Sequence, residues 1–144
     1  MPIDYSRYPA NWSKEIVPTV LARAGEQRDS GGKVAVEAKC EWCQVKNHTW
    51  YHRLRNGVVA PCYDKNNGKD GECWYCQEGH ESVRIVLTIA HLDHDADNHD
   101  VCTHRLKALC QRCHNHYDAP MRRARAFETR NRKKGQTLME GIDA

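Results

Sequence analysis

"LTIAHLDHDADNHDVCTHRLKALCQRCHNHYD", residues 87–118, runs from an apolar segment through a polar loop into a stretch dense in cysteine and histidine. Its first part sets His91, His94 and His99 among Asp93, Asp95, Asp97 and Asp100, directly after the apolar run Ile85-Val86-Leu87-Thr88-Ile89. Its second part joins a CxxC pair, Cys110 and Cys113, to His114, with Asp118 four residues further on. The patterning predicts a strand over 83–89, a polar loop over 93–103, and a turn and helix from about Leu106 through Cys113 to Ala124.

Residues four apart on a helix lie on one face, so His114 and Asp118 can bind one ion. Asp93, at the end of the predicted strand, completes a mixed oxygen and nitrogen set that leaves coordination positions for water and substrate. Side chains alternate along a strand, so His94 is expected to point away from Asp93, where a general base beside a metal-bound phosphate belongs. His91 shares the Asp93 face by the same rule; a structural or solvent-exposed role is favoured for it, with an extra ligand as the alternative.

Outward from this stretch, the chain has 144 residues, eight cysteines and a polar composition with one Phe, four Trp and six Tyr. One domain with a modest core is the expectation, and burial alone would stabilise it weakly. Met1-Pro2-Ile3-Asp4-Tyr5-Ser6 lacks the basic-then-apolar pattern of an export signal, and no run approaches the ~18 apolar residues that span a bilayer. A cytoplasmic setting in a bacterial host, without membrane contact, is expected; thiols stay reduced there, and metal sites outrank disulfides and redox use.

Three CxxC pairs stand out: Cys40/Cys43, Cys73/Cys76 and Cys110/Cys113. Two residues between cysteines let both sulfurs of a tight turn reach one ion, and two pairs complete a tetrahedral structural zinc site. Spacing permits Cys110/Cys113 to join either of the other pairs. The pair left over can build a second zinc site with Cys62, Cys102 or His80. A faint echo links Cys40-Glu-Trp-Cys43-Gln44, followed by His48, with Cys73-Trp-Tyr-Cys76-Gln77, followed by His80.

Elsewhere, apolar spacing over Ile16, Val17, Val20 and Leu21 predicts an N-terminal helix from about Trp12 to Ala24, with Pro18 near its first turn or at a break. A glycine-containing joint follows over 25–33. Turn formers cut 44–82 into a hairpin or loop insertion. There Tyr51, His52, Arg53 and Arg55 suit a DNA contact or a charged hairpin edge, and Trp42, Trp50 and Trp74 are expected to be buried rather than to stack bases. The formal charge is only +3, but 121–134 holds Arg122, Arg123, Arg125, Arg130, Arg132, Lys133 and Lys134 against Glu128 alone. That concentration suits a phosphate backbone, and a solvated helix end or tail over 125–144 is the plainer reading.

With "CEWCQVKNH" upstream, this stretch resembles the HNH endonucleases of the ββα-metal fold, most closely phage-type members in which an N-terminal helix precedes a CxxC and the nuclease hairpin ends in LCxxCH. The resemblance spans roughly 12–124 with the insertion excluded. It implies an α+β fold with a zinc-stabilised ββα-metal core over 83–124, phage or prophage origin, and metal-dependent DNA cleavage beside packaging or repair proteins. It further implies His94 as the base that activates water, Asp93 and His114, with Asp118, as ligands of a catalytic cation such as Mg2+ or Mn2+, and Cys40, Cys43, Cys110 and Cys113 as the structural zinc set.

Cys62, Cys73, Cys76 and Cys102 then remain for a second zinc. Arg105 stands where the family carries an asparagine before Leu106; it is expected to neutralise transition-state charge, with Arg122, Arg123 and Arg125 on the DNA and Asn98 a substitute for the asparagine if the loop folds back. The departure keeps a second expectation open, a zinc-dependent DNA-binding or adaptor protein whose nuclease site has decayed, with a cysteine-rich redox sensor third.

Overall fold

A computed structural model describes residues 5–57, 59–95 and 103–140 as a small mixed α/β protein. A π-helical turn, Trp12–Ile16, passes into α1, Val17–Arg23. Pro18 has no N–H to donate and occupies the first turn of α1, where the missing donor leaves no bond unmade. Pro18 thus sits both in a first turn and at a break, because the preceding turn closes with the wider Ile16 N–H to Asn11 carbonyl bond, 3.3 Å.

Two short strands, β1 (Gln27–Arg28) and β2 (Val34–Val36), pair antiparallel over the glycine joint. The segment read as an insertion contains β3 (Trp50–Arg53), β4 (Val59–Pro61), α2 (Tyr63–Asn67) and α3 (Trp74–Gln77). It leads into β5 (Ser82–Arg84), which completes an antiparallel sheet of order β4-β3-β5. Gly68 ends α2 in the left-handed region at φ 63°, which glycine adopts without steric cost.

β6 (Thr88–His91) and β7 (Leu106–Leu109) form a separate antiparallel hairpin with Thr88 opposite Leu109 and His91 opposite Leu106. α4 (Gln111–Glu140) follows directly, and the first expected helical turns at Leu106 are strand instead. The alternation Leu106-Lys107-Ala108 faces Leu106 and Ala108 into the core, and Cys110 opens the helix by accepting the His114 N–H at 2.9 Å. The residues expected to be a tail continue α4 to Glu140, past Pro120 inside the helix.

The single strand expected over 83–89 is two strands parted at 85–87. Ile85 N–H donates to Thr49, the Ile85 carbonyl accepts from His48, and Leu87 N–H donates to Asn47 Oδ1 at 2.9 Å. Ile85 and Leu87 keep the strand alternation and are buried, but their backbone partners change from β3 to the segment after the first CxxC and then to β7.

The core joins Trp12, Ile16 and Val20 to Ile85, Leu87, Leu106 and Leu109, with Ala38, Cys40, Ala90, Ala108 and Cys110 filling much of the rest. Small residues make it thin. The buried tryptophan is Trp12; Trp42 and Trp74 are exposed, because they ride on the outside of the CxxC turns whose sulfurs face inward.

Glu41, inside the first CxxC, ties three elements together. It accepts from both Nε and Nη2 of Arg23 at 2.9 Å and from the Ala108 N–H at 2.7 Å, with Lys107 Nζ at 3.8 Å. Burial pushes its carboxyl up, but Arg23, the Ala108 N–H and Lys107 together hold it below its ordinary value of 4.5. A lowered carboxyl stabilises the fold fully above the unfolded-state value and loses that contribution as pH falls through the folded one. Glu41→Gln is therefore expected to cost about 1–3 kcal/mol in urea unfolding at neutral pH, with the gap between the two proteins closing as pH falls below 4.5.

Candidate metal centres and the adjoining histidine cleft

Two clusters of four donors form, each with all ligand atoms within 4.8 Å of one another: Cys40, Cys43, Cys110 and Cys113, and His52, Cys62, Cys73 and Cys76. All seven cysteines among the described residues are free. In the first cluster Cys43 and Cys110 sulfurs lie 3.5 Å apart, and the Cys110 N–H donates to Cys40 Sγ at 3.4 Å. In the second, Cys62 and Cys76 sulfurs are 3.6 Å apart, and His52 Nε2 lies 3.4 Å from Cys73 Sγ and 3.5 Å from Cys76 Sγ. A tetrahedral zinc with bonds of ~2.3 Å to sulfur and ~2.0 Å to nitrogen separates its ligands by roughly 3.5–3.8 Å. Both donor sets fit a metal such as zinc.

The protonation chemistry points the same way. The hydrogen bond from the Cys110 thiol, against the cost of burial, brings Cys40 down to about 4, while Cys110 itself is raised by that same bond and by burial. Burial opposes ionisation of Cys73, yet backbone N–H groups at Cys76 and Tyr63 and the His52 ring bring it to about 6. Burial and the neighbouring sulfurs push Cys76 to about 12 and Cys113 to about 11. Each cluster thus favours one thiolate and resists the next, a conflict that a dication removes.

His52 is fully buried, and its Nδ1 lies 3.1 Å from the Glu81 carbonyl. Donation there fixes the tautomer that turns the Nε2 lone pair toward the sulfurs, the usual support of a metal-bound histidine. The sequence reading put His52 with the DNA contacts and sought the fourth donor in Cys102 or His80. His80 is exposed and outside the cluster, with its ring 6.0 Å from Tyr75, while Cys102, Asn98 and His99 lie outside the described residues. The usable signal was strand alternation, which turns His52 inward between Tyr51 and Arg53. Asp64 braces this knuckle by accepting from the backbone N–H groups of Gly71, Glu72 and Cys73 at 2.7–3.0 Å.

The β6–β7 hairpin and α4 line a cleft of about 340 Å³ with His91, His94, His114, Asp118, Arg122 and Arg125 among its walls. Asp118 spans two rings: Oδ1 is 3.1 Å from His94 Nδ1, and Oδ2 is 3.2 Å from His114 Nε2. Thr88 Oγ1, 2.8 Å from His114 Nδ1, orients the second ring. Tyr117 stacks on His94 at 4.7 Å and 11°, and its hydroxyl donates to the Leu92 carbonyl. Thr88 and Tyr117 were not anticipated; their one signal is position, opposite Leu109 and one turn past Cys113.

Two expectations about this cleft need correction. β6 ends at His91, so Asp93 and His94 lie on a turn, closed by the His94 N–H to His91 carbonyl bond of 3.0 Å, and strand alternation does not govern them. His94 takes φ 56°, a left-handed conformation uncommon for a non-glycine residue and often found at functional positions. Asp93 is paired with Arg105 rather than gathered with His114 and Asp118, and no three of these donors come as close together as those of the two sulfur clusters. His91 stacks on Trp12 at 5.2 Å and 10°, and burial lowers its affinity for a proton. Among the expected DNA-binding arginines, Arg122 and Arg125 line this cleft, and Arg123 faces another.

No protein-family model, curated protein or solved structure matches this chain. Among the described residues, no helix is long and apolar enough to cross a membrane.

Metal analysis of the purified protein is expected to find two tightly held zinc ions per chain, Cys43→Ser and His52→Gln each removing one. Zinc added to stripped protein should acidify a weakly buffered solution at neutral pH, because Cys76, Cys110 and Cys113 must give up protons. The same competition weakens zinc binding as pH falls.

Proposed function

We propose that this chain is a metal-dependent DNA endonuclease that hydrolyses phosphodiester bonds with a ββα-metal site of the HNH type. The observation that carries the reading is Asp118, which spans His94 and His114 in a cleft shared with two arginines. Its support is chemical. An imidazole that donates from Nδ1 to a carboxylate carries its lone pair on Nε2, and the carboxylate stabilises the imidazolium formed when that nitrogen takes a proton from water. Tyr117 fixes the ring plane. Arg122 and Arg125 supply positive charge to a phosphate in the cleft.

His114 Nε2 and Asp118 Oδ2, 3.2 Å apart, suit neighbouring positions on an octahedral ion, which with bonds of ~2.1 Å are about 3.0 Å apart. Asp118 keeps Oδ1 for His94 in that arrangement. A divalent cation held there supplies charge to the scissile phosphate and the leaving oxygen. Asp93 joins as a third donor once it releases Arg105; this pair is partly exposed, and breaking it costs about 0–1 kcal/mol. Arg105 would then offer its guanidinium charge to the phosphate.

The Asp93–Arg105 pair also favours the second reading, a zinc-dependent DNA-binding or adaptor protein in which a ligand is tied up by the arginine that replaces the family asparagine. Supercoiled plasmid with Mg2+ or Mn2+ separates the two. Nicking or linearisation is expected from the wild type, reduced by about 10²–10⁴-fold in His94→Ala, and Arg105→Asn is expected to bind Mn2+ more tightly. Wild-type protein that binds duplex DNA but yields no product with any divalent ion would establish the adaptor reading.

A further inference from the structure

Around α4 from the His94 cleft, and adjoining it where Arg122 donates to the Asn115 carbonyl, a second cleft of about 550 Å³ lies between the helix and the tip of the β3–β4 hairpin. At about 100° per residue, positions 112, 116, 119 and 123 form one stripe and positions 114, 118, 121 and 125 another on the far side. Arg53 and Arg55 form one wall, and Arg112 and Arg123 the other. No acidic residue lines the cleft, and no carboxylate pairs with any of the four arginines among the described residues. Arg53 Nε is buried with no acceptor among the described residues. Like charges are gathered here without internal compensation, and a buried donor lacks its partner; both are met by an anion.

We propose that this cleft is a second phosphate-binding site, which holds the sugar–phosphate backbone of a nucleic acid away from the scissile bond. The guanidinium fork matches phosphate oxygens in pairs. Four such groups carry more charge than one phosphate neutralises, and the basic run over 122–134 continues along the same helix, so successive phosphates of one strand fit better than a lone ion. Both walls are fixed by the clusters described above. Arg53 directly follows His52, and Arg112 lies between Cys110 and Cys113. The choice of a nucleic acid as the source of the phosphates rests on the proposed function, but the site does not require cleavage to occur.

The test is the salt dependence of binding to a fluorescein-labelled duplex, with no divalent ion present. Each phosphate contact contributes about 0.9 to the slope of log K against log salt. Arg55→Gln/Arg123→Gln, both at exposed positions, is expected to lower the slope by about 1.8, and Arg53→Gln/Arg112→Gln by a similar amount with zinc content intact. Lys14→Gln/Lys33→Gln removes the same charge elsewhere and should leave the slope within a few tenths of wild type.

An unchanged slope in Arg55→Gln/Arg123→Gln, or the same loss in the lysine control, would overturn the assignment. So would poly-glutamate of matched charge that displaces the duplex as well as unlabelled DNA does, since the cleft would then be a general polyanion surface. Loss of slope in a protein that never cuts plasmid would retain the site and remove the nuclease reading.

Discussion

Four sulfurs from two distant parts of the chain meet at one point, and the rest of the structure is arranged around that meeting. Cys40 and Cys43 come from the turn after β2; Cys110 and Cys113 come from the junction of β7 with α4. Cys110 ends the hairpin and opens the helix, so fixing its sulfur fixes both. Glu41, between the first two cysteines, reaches the Ala108 N–H of β7 and the Arg23 side chain of α1. The aliphatic core beneath is thin, and the thiols resist losing their protons to one another. A bound dication resolves that resistance and turns binding energy into folding energy.

The second cluster does for the β4-β3-β5 sheet what the first does for the hairpin. His52 on β3 meets Cys62 beyond β4 and the Cys73/Cys76 turn before β5, so a single ion would staple all three strands. Two parts of the chain then flank α4. The turn after β6 brings His94 to Asp118 and His114 of the helix, and the β3–β4 hairpin brings the Arg53 and Arg55 wall. On the proposed function, these are the two places where the chain grips a nucleic acid, with one helix contributing to both.

Much of this could be read from the residues, and the misses have physical causes. CxxC spacing marks sulfur pairs that share an ion, but spacing left the partner of Cys110/Cys113 open; the resemblance favoured Cys40/Cys43, and these four sulfurs are the ones brought together. His52 is named only as a DNA contact, and not as a ligand, because a fourth donor from a strand follows no fixed spacing from a CxxC pair. The predicted strand 83–89 hid its own break, since burial alternates from Arg84 to Thr88 while the hydrogen-bond partners change, and that change depends on Asn47 and His48 far upstream. Asp93 and His94 follow the rules of a turn rather than a strand, and the partner of Asp93 is the very Arg105 that departs from the family pattern. Trp12 is buried in the core beside α1, whereas Trp42 and Trp74 lie on the outer side of the CxxC turns.

The central claim is that metal at the sulfur clusters, and not the apolar core alone, holds the hairpin and the start of α4 in place. Hydrogen exchange at the β6–β7 amides, compared between metal-replete protein and protein stripped by a chelator under reducing conditions, tests it most directly. Stripping should abolish protection at Ala90, Leu106 and Ala108 together with the cooperative unfolding transition, and zinc should restore both. Unchanged protection and an unchanged unfolding midpoint in the metal-free protein would contradict the account.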